Sequence, residues 1–292
     1  MVFQEMSDNQ RRVYIDTAQL YEAYLSVYHK GRAYRGGMHW KKAKGREYLF
    51  RSRDRYGYGK SLGPRSPETE KILKEFRKNK QQLKERLESL KDRLKEQARF
   101  CKAAIIQRVP RVAAEALRHL ALQKLLGRNV LIVGTNALYA YEAAAGAYVD
   151  TSITATGDLD ILWDVRSRLT LVADNDIDQI GLLDILRKAD RSFELSGPRS
   201  FRAVNRDGYM VDLIKSEPKQ MLKLWLSKQV RREAVKKQRD RDQALAVANL
   251  TVKYLPQYKF KANELRMFPK AIFAEAEKDI SELELPSGFD NE

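Results

Sequence analysis

The chain is 292 residues long, with 43% hydrophobic residues, 32% charged residues and a formal net charge of +16. A single cysteine, Cys101, excludes a disulfide framework, and no set of Cys and His residues has the spacing of zinc ligands. No apolar run approaches the roughly 18 residues of a membrane span, and the N-terminus lacks the apolar core of a signal peptide. We therefore expect a cytoplasmic protein without a membrane partner.

The positive charge is concentrated in the first third of the chain. Residues 1–110 hold 27 Lys/Arg and 13 Asp/Glu, whereas residues 111–292 hold 28 and 26. Within the first part, residues 30–65 hold 12 basic and 2 acidic residues. This asymmetry predicts a basic module joined to a nearly neutral one.

The basic part begins with a predicted helix over residues 9–29. Two short alternating runs, 46–52 and 57–62, predict a basic β-hairpin. Ser66 is a candidate N-cap for a long helix over residues 67–107, which contains neither Gly nor Pro and carries apolar residues at spacings of three and four. Its amphipathic pattern is also that of a coiled-coil arm, so oligomerisation through this helix is possible.

The pattern changes after residue 129. Residues 130–133 predict a short buried strand, followed by a turn at Gly134 and an Ala-rich helix to about residue 145. Further along, the predicted elements are a strand at 158–163, a helix at 177–189, a strand at 192–196, a hairpin of 200–206 and 209–215 across Asp207-Gly208, and helices at 218–235, 240–254 and 268–283.

Three features of this second part carry candidate chemistry. Gly134-Thr135 joins a strand to a helix, and a helix N-terminus favours a phosphate. Asp158 and Asp160 are two residues apart on one strand, which puts both carboxylates on the same face. Asp212 is a third acid inside an apolar strand. Acids in apolar strands are costly without a cation, and oxygen-only ligands suit Mg²⁺.

This arrangement resembles the DNA polymerase β-like nucleotidyltransferase superfamily, and it is most similar to bacterial proteins with a nucleotidyltransferase fold. The resemblance covers about residues 125–255 and rests on the segments VGTNALYAY, TGDLDILWD and YMVDLIK. Two departures are visible: Thr135 stands where Ser or Gly is usual, and residues 146–157 form an additional loop.

The resemblance implies an α+β fold. A small mixed-sheet nucleotidyltransferase domain, residues 111–217, would be flanked by a basic hairpin and long-helix lobe, residues 1–110, and by a helical C-terminal region, residues 218–292.

The resemblance also implies two-metal nucleotidyl transfer with Mg²⁺ or Mn²⁺. Asp158, Asp160 and Asp212 would be the catalytic metal ligands, and Gly134 and Thr135 would bind the phosphates of an NTP substrate. Lys237 lies in a basic cluster over residues 228–241. That cluster is a candidate for lining the triphosphate side or the acceptor side of the cleft, although it equally fits a solvated helix face.

The basic stretch combines cations with aromatic residues, which suits phosphate neutralisation and base stacking. Alternatively, the aromatics pack the hairpin and the cations are only solvated. The candidate nucleic-acid-binding residues are Trp40, Lys41, Lys42, Lys44, Tyr48, Arg51 and Arg53.

Three functions fit the sequence. The main hypothesis is transfer of an NMP from an NTP to an acceptor hydroxyl of a nucleic acid, RNA being favoured over DNA, with release of pyrophosphate. The second is nucleotidyl transfer, of AMP for example, to a protein or small molecule. The third is a catalytically silent nucleic-acid-binding or toxin–antitoxin-type protein.

Overall fold

The computed structural model describes residues 3–53, 58–128, 130–154, 156–163, 181–197, 200, 202–215, 233–255 and 257. In chain order the elements are β1 (Gln4–Glu5), α1 (Asp8–Arg32), β2 (Gly37–Ala43), β3 (Arg46–Ser52), β4 (Gly59–Pro64), α2 (Pro67–Ala103), α3 (Arg111–Leu122), β5 (Val130–Val133), α4 (Leu138–Ala145), β6 (Ala147–Tyr148), α5 (Thr151–Thr154), β7 (Asp158–Trp163), α6 (Leu182–Ala189), β8 (Glu194–Leu195), β9 (Arg202–Val204), β10 (Met210–Lys215) and α7 (Ala234–Tyr254). The helix expected at 268–283 and most of the one at 218–235 lie outside the described residues.

Contacts divide the chain into two compact units. One consists of residues 9–107, and the other of the described residues of 1–8 and 108–292. No helix in the described ranges is both long enough and apolar enough to cross a membrane.

The 9–107 unit contains a three-stranded antiparallel sheet, β2-β3-β4, beside α1 and α2. The predicted hairpin is present as β3 and β4, but β2 was not predicted. Lys44 and Gly45 form the β2–β3 turn with φ values of 50° and 75°. Two consecutive positive φ values are typical of the two-residue hairpin turn that matches strand twist.

The long helix α2 begins as predicted and ends earlier than predicted. The Ser66 side chain accepts a hydrogen bond from the Thr69 N–H, and the Thr69 hydroxyl accepts one from the Ser66 N–H, so the cap is reciprocal. At the other end, the Ile106 N–H donates to the Cys101 carbonyl and the Ile105 N–H to Lys102, while Ile105 has a φ of 58°. This pair of bonds is a Schellman motif, which terminates the helix before residue 107.

The second unit is built on a five-stranded mixed sheet of order β5-β7-β10-β9-β8. β7 and β10 are parallel, while the remaining neighbours are antiparallel. The predicted α+β fold with a small mixed sheet and flanking helices is confirmed.

One face of this sheet carries the hydrophobic core. Leu159 and Ile161 of β7 and Val211 of β10 are buried against residues of α3 and α6, including Leu120 and Ile185. Side chains alternate across a strand. The residues between these apolar positions, which include the three candidate acids, therefore point to the opposite face.

The segment 146–157, predicted as an additional loop, contains β6 and α5, and β6 pairs with β1. An ion pair between partly exposed Arg108 and buried Glu142 anchors it: Arg108 Nη1 lies 2.6 Å from Glu142 Oε1, and Arg108 Nη2 donates to the Val149 carbonyl at 3.1 Å. The Val149 N–H donates to the same Glu142 oxygen at 2.8 Å. Burial raises the pKa of Glu142, while the Val149 hydrogen bond and the Arg108 charge act in the opposite direction.

Candidate active site

The three candidate acids lie on one face of two neighbouring strands. Asp158 and Asp160 are the first and third residues of β7, and Asp212 is the third residue of β10. In the parallel β7–β10 ladder, Asp212 is the Cα partner of Asp160. Adjacent strands are about 4.8 Å apart. The backbone therefore brings three carboxyl-bearing residues into one small patch.

The Asp212 carboxylate is held by an arginine from the next strand. Arg202 on β9 is the Cα partner of Asp212 across the antiparallel ladder. Its Nε donates to Oδ1 and its Nη2 to Oδ2, both at 2.7 Å. These bonds raise the pKa of Arg202, and the charges of Asp212, Asp158 and Asp160 act in the same direction. Arg202 thus interacts electrostatically with the whole acidic patch.

Gly134 lies directly against the Asp160 carboxylate. A Cβ built at Gly134 would overlap Asp160 Oδ2 and lie 3.0 Å from Asp160 Cγ. The residue has φ 69° and ψ −153°, a combination essentially restricted to glycine. Both the backbone angles and the close approach therefore require glycine at this turn.

The backbone of Asp158 is fixed by two side chains that the sequence analysis did not single out. Asn136 Nδ2 donates to the Asp158 carbonyl at 2.6 Å, and the Tyr209 hydroxyl donates to the same oxygen at 3.3 Å. Burial raises the pKa of Tyr209 to about 12. The Thr156 hydroxyl bonds the Asp158 carboxylate itself. These contacts position the start of β7 relative to the turn at Gly134.

The Thr135 side chain faces the interior. It is 2% exposed, and Gln243 Nε2 on α7 donates to its hydroxyl at 3.0 Å and to the Ile153 carbonyl at 2.7 Å. Its hydroxyl therefore ties the turn to α7, and any contact of Thr135 with a phosphate would come from its main chain.

Lys237 lies in the first turn of α7 and is partly exposed. Its N–H donates to the Glu233 carbonyl. The structure gives its ammonium group no contact with the acidic patch. Part of the basic cluster in which it was predicted, residues 228–232, lies outside the described residues.

The donor set of the patch fits a divalent cation, since three carboxylates on one face supply the hard oxygen ligands that Mg²⁺ and Mn²⁺ prefer. A guanidinium already bound there marks the patch as a place that takes positive charge. Among the described residues, no three Asp, Glu, His or Cys side chains stand close enough to hold one ion. Asp212 would have to leave Arg202 to join Asp158 and Asp160.

The candidate nucleic-acid-binding residues divide between the two faces of the β2-β3-β4 sheet. Directly opposite residues share a face. Trp40 and Lys42 therefore point to the side of buried Leu49, whereas Lys41 and Tyr48 point to the other side. We call that second side the outer face; it comprises His39, Lys41, Arg46, Tyr48 and Phe50.

The three remaining candidate nucleic-acid-binding residues, Lys44, Arg51 and Arg53, differ in their surroundings. Arg51 points to the Leu49 side, where its guanidinium donates to the carbonyls of Gly37, Ser52 and Ala33 and lies 4.4 Å from the centroid of the Phe76 ring. Burial lowers the pKa of Arg51, and the charge of Arg53 acts in the same direction. Arg51 thus stabilises its own unit, while Lys44 and Arg53 are exposed at the β2–β3 turn and after β3.

Arg202 is the most important site residue that the sequence analysis did not predict. It was missed because the register of the β9–β10 hairpin differs from the register expected for a two-residue turn. A two-residue turn at Asp207-Gly208 would pair Asp212 with Ala203. In the structure the connection is 205–209, and Asn205 Oδ1 accepts hydrogen bonds from the N–H groups of Asp207 and Tyr209. The longer connection shifts the register by one residue, which exchanges faces.

Comparison with known proteins gives a match to one protein family. No curated protein and no solved structure shows a significant match to the chain. Residues 111–221 match a protein-family model described as nucleotidyltransferase. The matched segment contains the turn at Gly134 and all three acids of the patch. This similarity supports a nucleotidyltransferase superfamily domain, and hence a transferase, in the second unit of the chain.

Proposed function

We propose that the protein transfers an NMP from an NTP to an acceptor hydroxyl and releases pyrophosphate. The observation that carries this proposal is the pairing of Asp212 with Asp160 across parallel strands, with Asp158 on the same face and Gly134 against Asp160. It lies within the segment that matches the nucleotidyltransferase family. If the three acids had only a structural role, neither the pairing of Asp212 with Asp160 nor the close approach of Gly134 to Asp160 would be required.

Asp158, Asp160 and Asp212 are the residues that would hold Mg²⁺ or Mn²⁺. Such a cation would supply positive charge to the triphosphate and lower the pKa of the acceptor hydroxyl. The main chain of the turn at Gly134 and Thr135 would bind the phosphates of the NTP. The acceptor oxygen forms a bond to the α-phosphorus as the bond to the bridging oxygen breaks, pyrophosphate departs, and the hydroxyl proton passes to solvent.

We propose a nucleic acid as the acceptor, with RNA favoured. The support comes from the outer face of the β2-β3-β4 sheet, where exposed His39, Lys41 and Arg46 surround partly buried Tyr48 and Phe50. Lys41 Nζ lies 5.2 Å from the centroid of the Phe50 ring. Cations beside aromatic rings suit single strands, because the cations neutralise phosphates while the rings stack on bases.

The test is incubation of the full chain with each labelled NTP and Mg²⁺ or Mn²⁺, offering RNA, single-stranded DNA, protein and small hydroxyl compounds as separate acceptors. We expect label in RNA from the wild type and none from Asp160→Asn. If label appeared only in protein or in small molecules, the proposed transferase activity would be supported and the proposed nucleic-acid acceptor would be wrong. Absence of transfer with every acceptor and NTP would refute the proposed reaction.

A further inference from the structure

The Arg202–Asp212 ion pair uses both carboxylate oxygens with which Asp212 would bind a metal ion. Both carboxylate oxygens of Asp212 accept an N–H from the same guanidinium, each at 2.7 Å. Paired in this fork, the carboxylate has its oxygens directed at Arg202. A cation bound by Asp158 and Asp160 would compete for the same oxygens.

The ion pair contributes little to holding the hairpin together. The Arg202 side chain is 49% exposed and that of Asp212 23%, and exposed ion pairs typically add little stability. The β9–β10 ladder and the two hydrogen bonds to Asn205 already fix this hairpin. The larger consequence of Arg202 is electrostatic, because its charge faces all three acids.

We propose that Arg202 is a built-in counter-ion that competes with the divalent cation for Asp212, so that the three-carboxylate site is completed only when the cation displaces it. The proposal rests on the proposed function, which requires Asp212 as a metal ligand. It explains why the three carboxylates share a face and yet do not converge on one point. Arg202 is in this sense a positioning residue, since it acts through Asp212.

The experiment measures Mn²⁺ binding to the full chain without nucleotide, by the loss of the electron paramagnetic resonance signal of free Mn²⁺. Arg202→Gln removes the competing charge and fork, and we expect it to tighten Mn²⁺ binding by about three- to tenfold, the range for a partly exposed bidentate pair. Arg202→Lys keeps the charge without the fork, so its affinity should lie between those of the wild type and Arg202→Gln.

Arg206→Gln is the matched control. Arg206 lies on the same hairpin and is 80% exposed, and its Nε lies 3.8 Å from Asp207 Oδ1. The substitution removes the same charge without touching Asp212, so we expect a change of less than about twofold, since exposed charges are screened. Equal tightening in both glutamine variants would overturn the specific role of Arg202.

The remaining outcomes separate this inference from the proposed function. If the wild type binds Mn²⁺ and Arg202→Gln binds it equally or more weakly, the inference is wrong while the metal site stands. If neither binds Mn²⁺, the metal site and the inference both fail. Circular dichroism checks folding, and if Arg202→Gln does not fold, Arg202→Lys decides by the same criterion.

Discussion

Gly134→Ala tests the turn on which the acidic patch depends. A residue with φ 69° and ψ −153° is in a region that costs a non-glycine residue about 1–3 kcal/mol. Alanine also lowers the conformational entropy of the unfolded chain, which offsets this cost by about 0.4–1 kcal/mol. We therefore expect the free energy of unfolding to fall by about 1–2 kcal/mol. In addition, the new Cβ must displace the Asp160 carboxylate.

The measurement has two parts. Urea unfolding followed by circular dichroism gives the stability, and Mn²⁺ titration reports the position of Asp160. Gly157→Ala is the control, because Gly157 immediately precedes Asp158, has no positive φ and has no atom within 4 Å of an added Cβ. We expect it to retain both stability and Mn²⁺ affinity. If Gly134→Ala behaved like Gly157→Ala, the close approach of Gly134 to Asp160 would not matter to the site.

Asp160→Asn should abolish transfer, because it removes a carboxylate that would hold the divalent cation; residual activity would contradict this. Arg108→Met should lower the free energy of unfolding by about 3–5 kcal/mol, because it leaves buried Glu142 unpaired. Burial raises the pKa of the Glu142 carboxyl above its usual 4.5, so in the folded state this carboxyl stays protonated at pH values where it is ionised in the unfolded state. The free energy of unfolding of Arg108→Met should therefore fall as the pH rises through and above this value, and a urea midpoint that does not change with pH would refute this role of Glu142. For RNA binding measured across salt concentrations, Lys41→Ala should flatten the log–log slope by about 0.7, whereas Tyr48→Ala should weaken binding by about 1–3 kcal/mol at every salt concentration. Exchanged behaviour of these two variants would reject the outer face as the contact.

Features that follow from local rules were predictable from the amino-acid sequence alone. The strand at 158–163 was predicted because acids alternate with apolar residues, and the same period of two placed Asp158 and Asp160 on one face. The cap at Ser66 followed from the chemistry of a helix N-terminus. Each of these features depends on residues close together in the chain.

How these local elements meet depends on contacts between residues that are far apart in the chain. Asp212 is 52 positions from Asp160, and no local pattern states that β10 lies parallel to β7 in the register that pairs them. The hairpin register was equally undetermined, because the loop length was set by the Asn205 side chain and a slip of one residue would turn Arg202 away from Asp212. The same applies to Arg51, whose charge suggests a phosphate contact in sequence but whose guanidinium binds three carbonyls in the fold. The sequence therefore specifies which groups are available, while long-range strand pairing specifies which of them meet and whether a charge is free to bind a ligand.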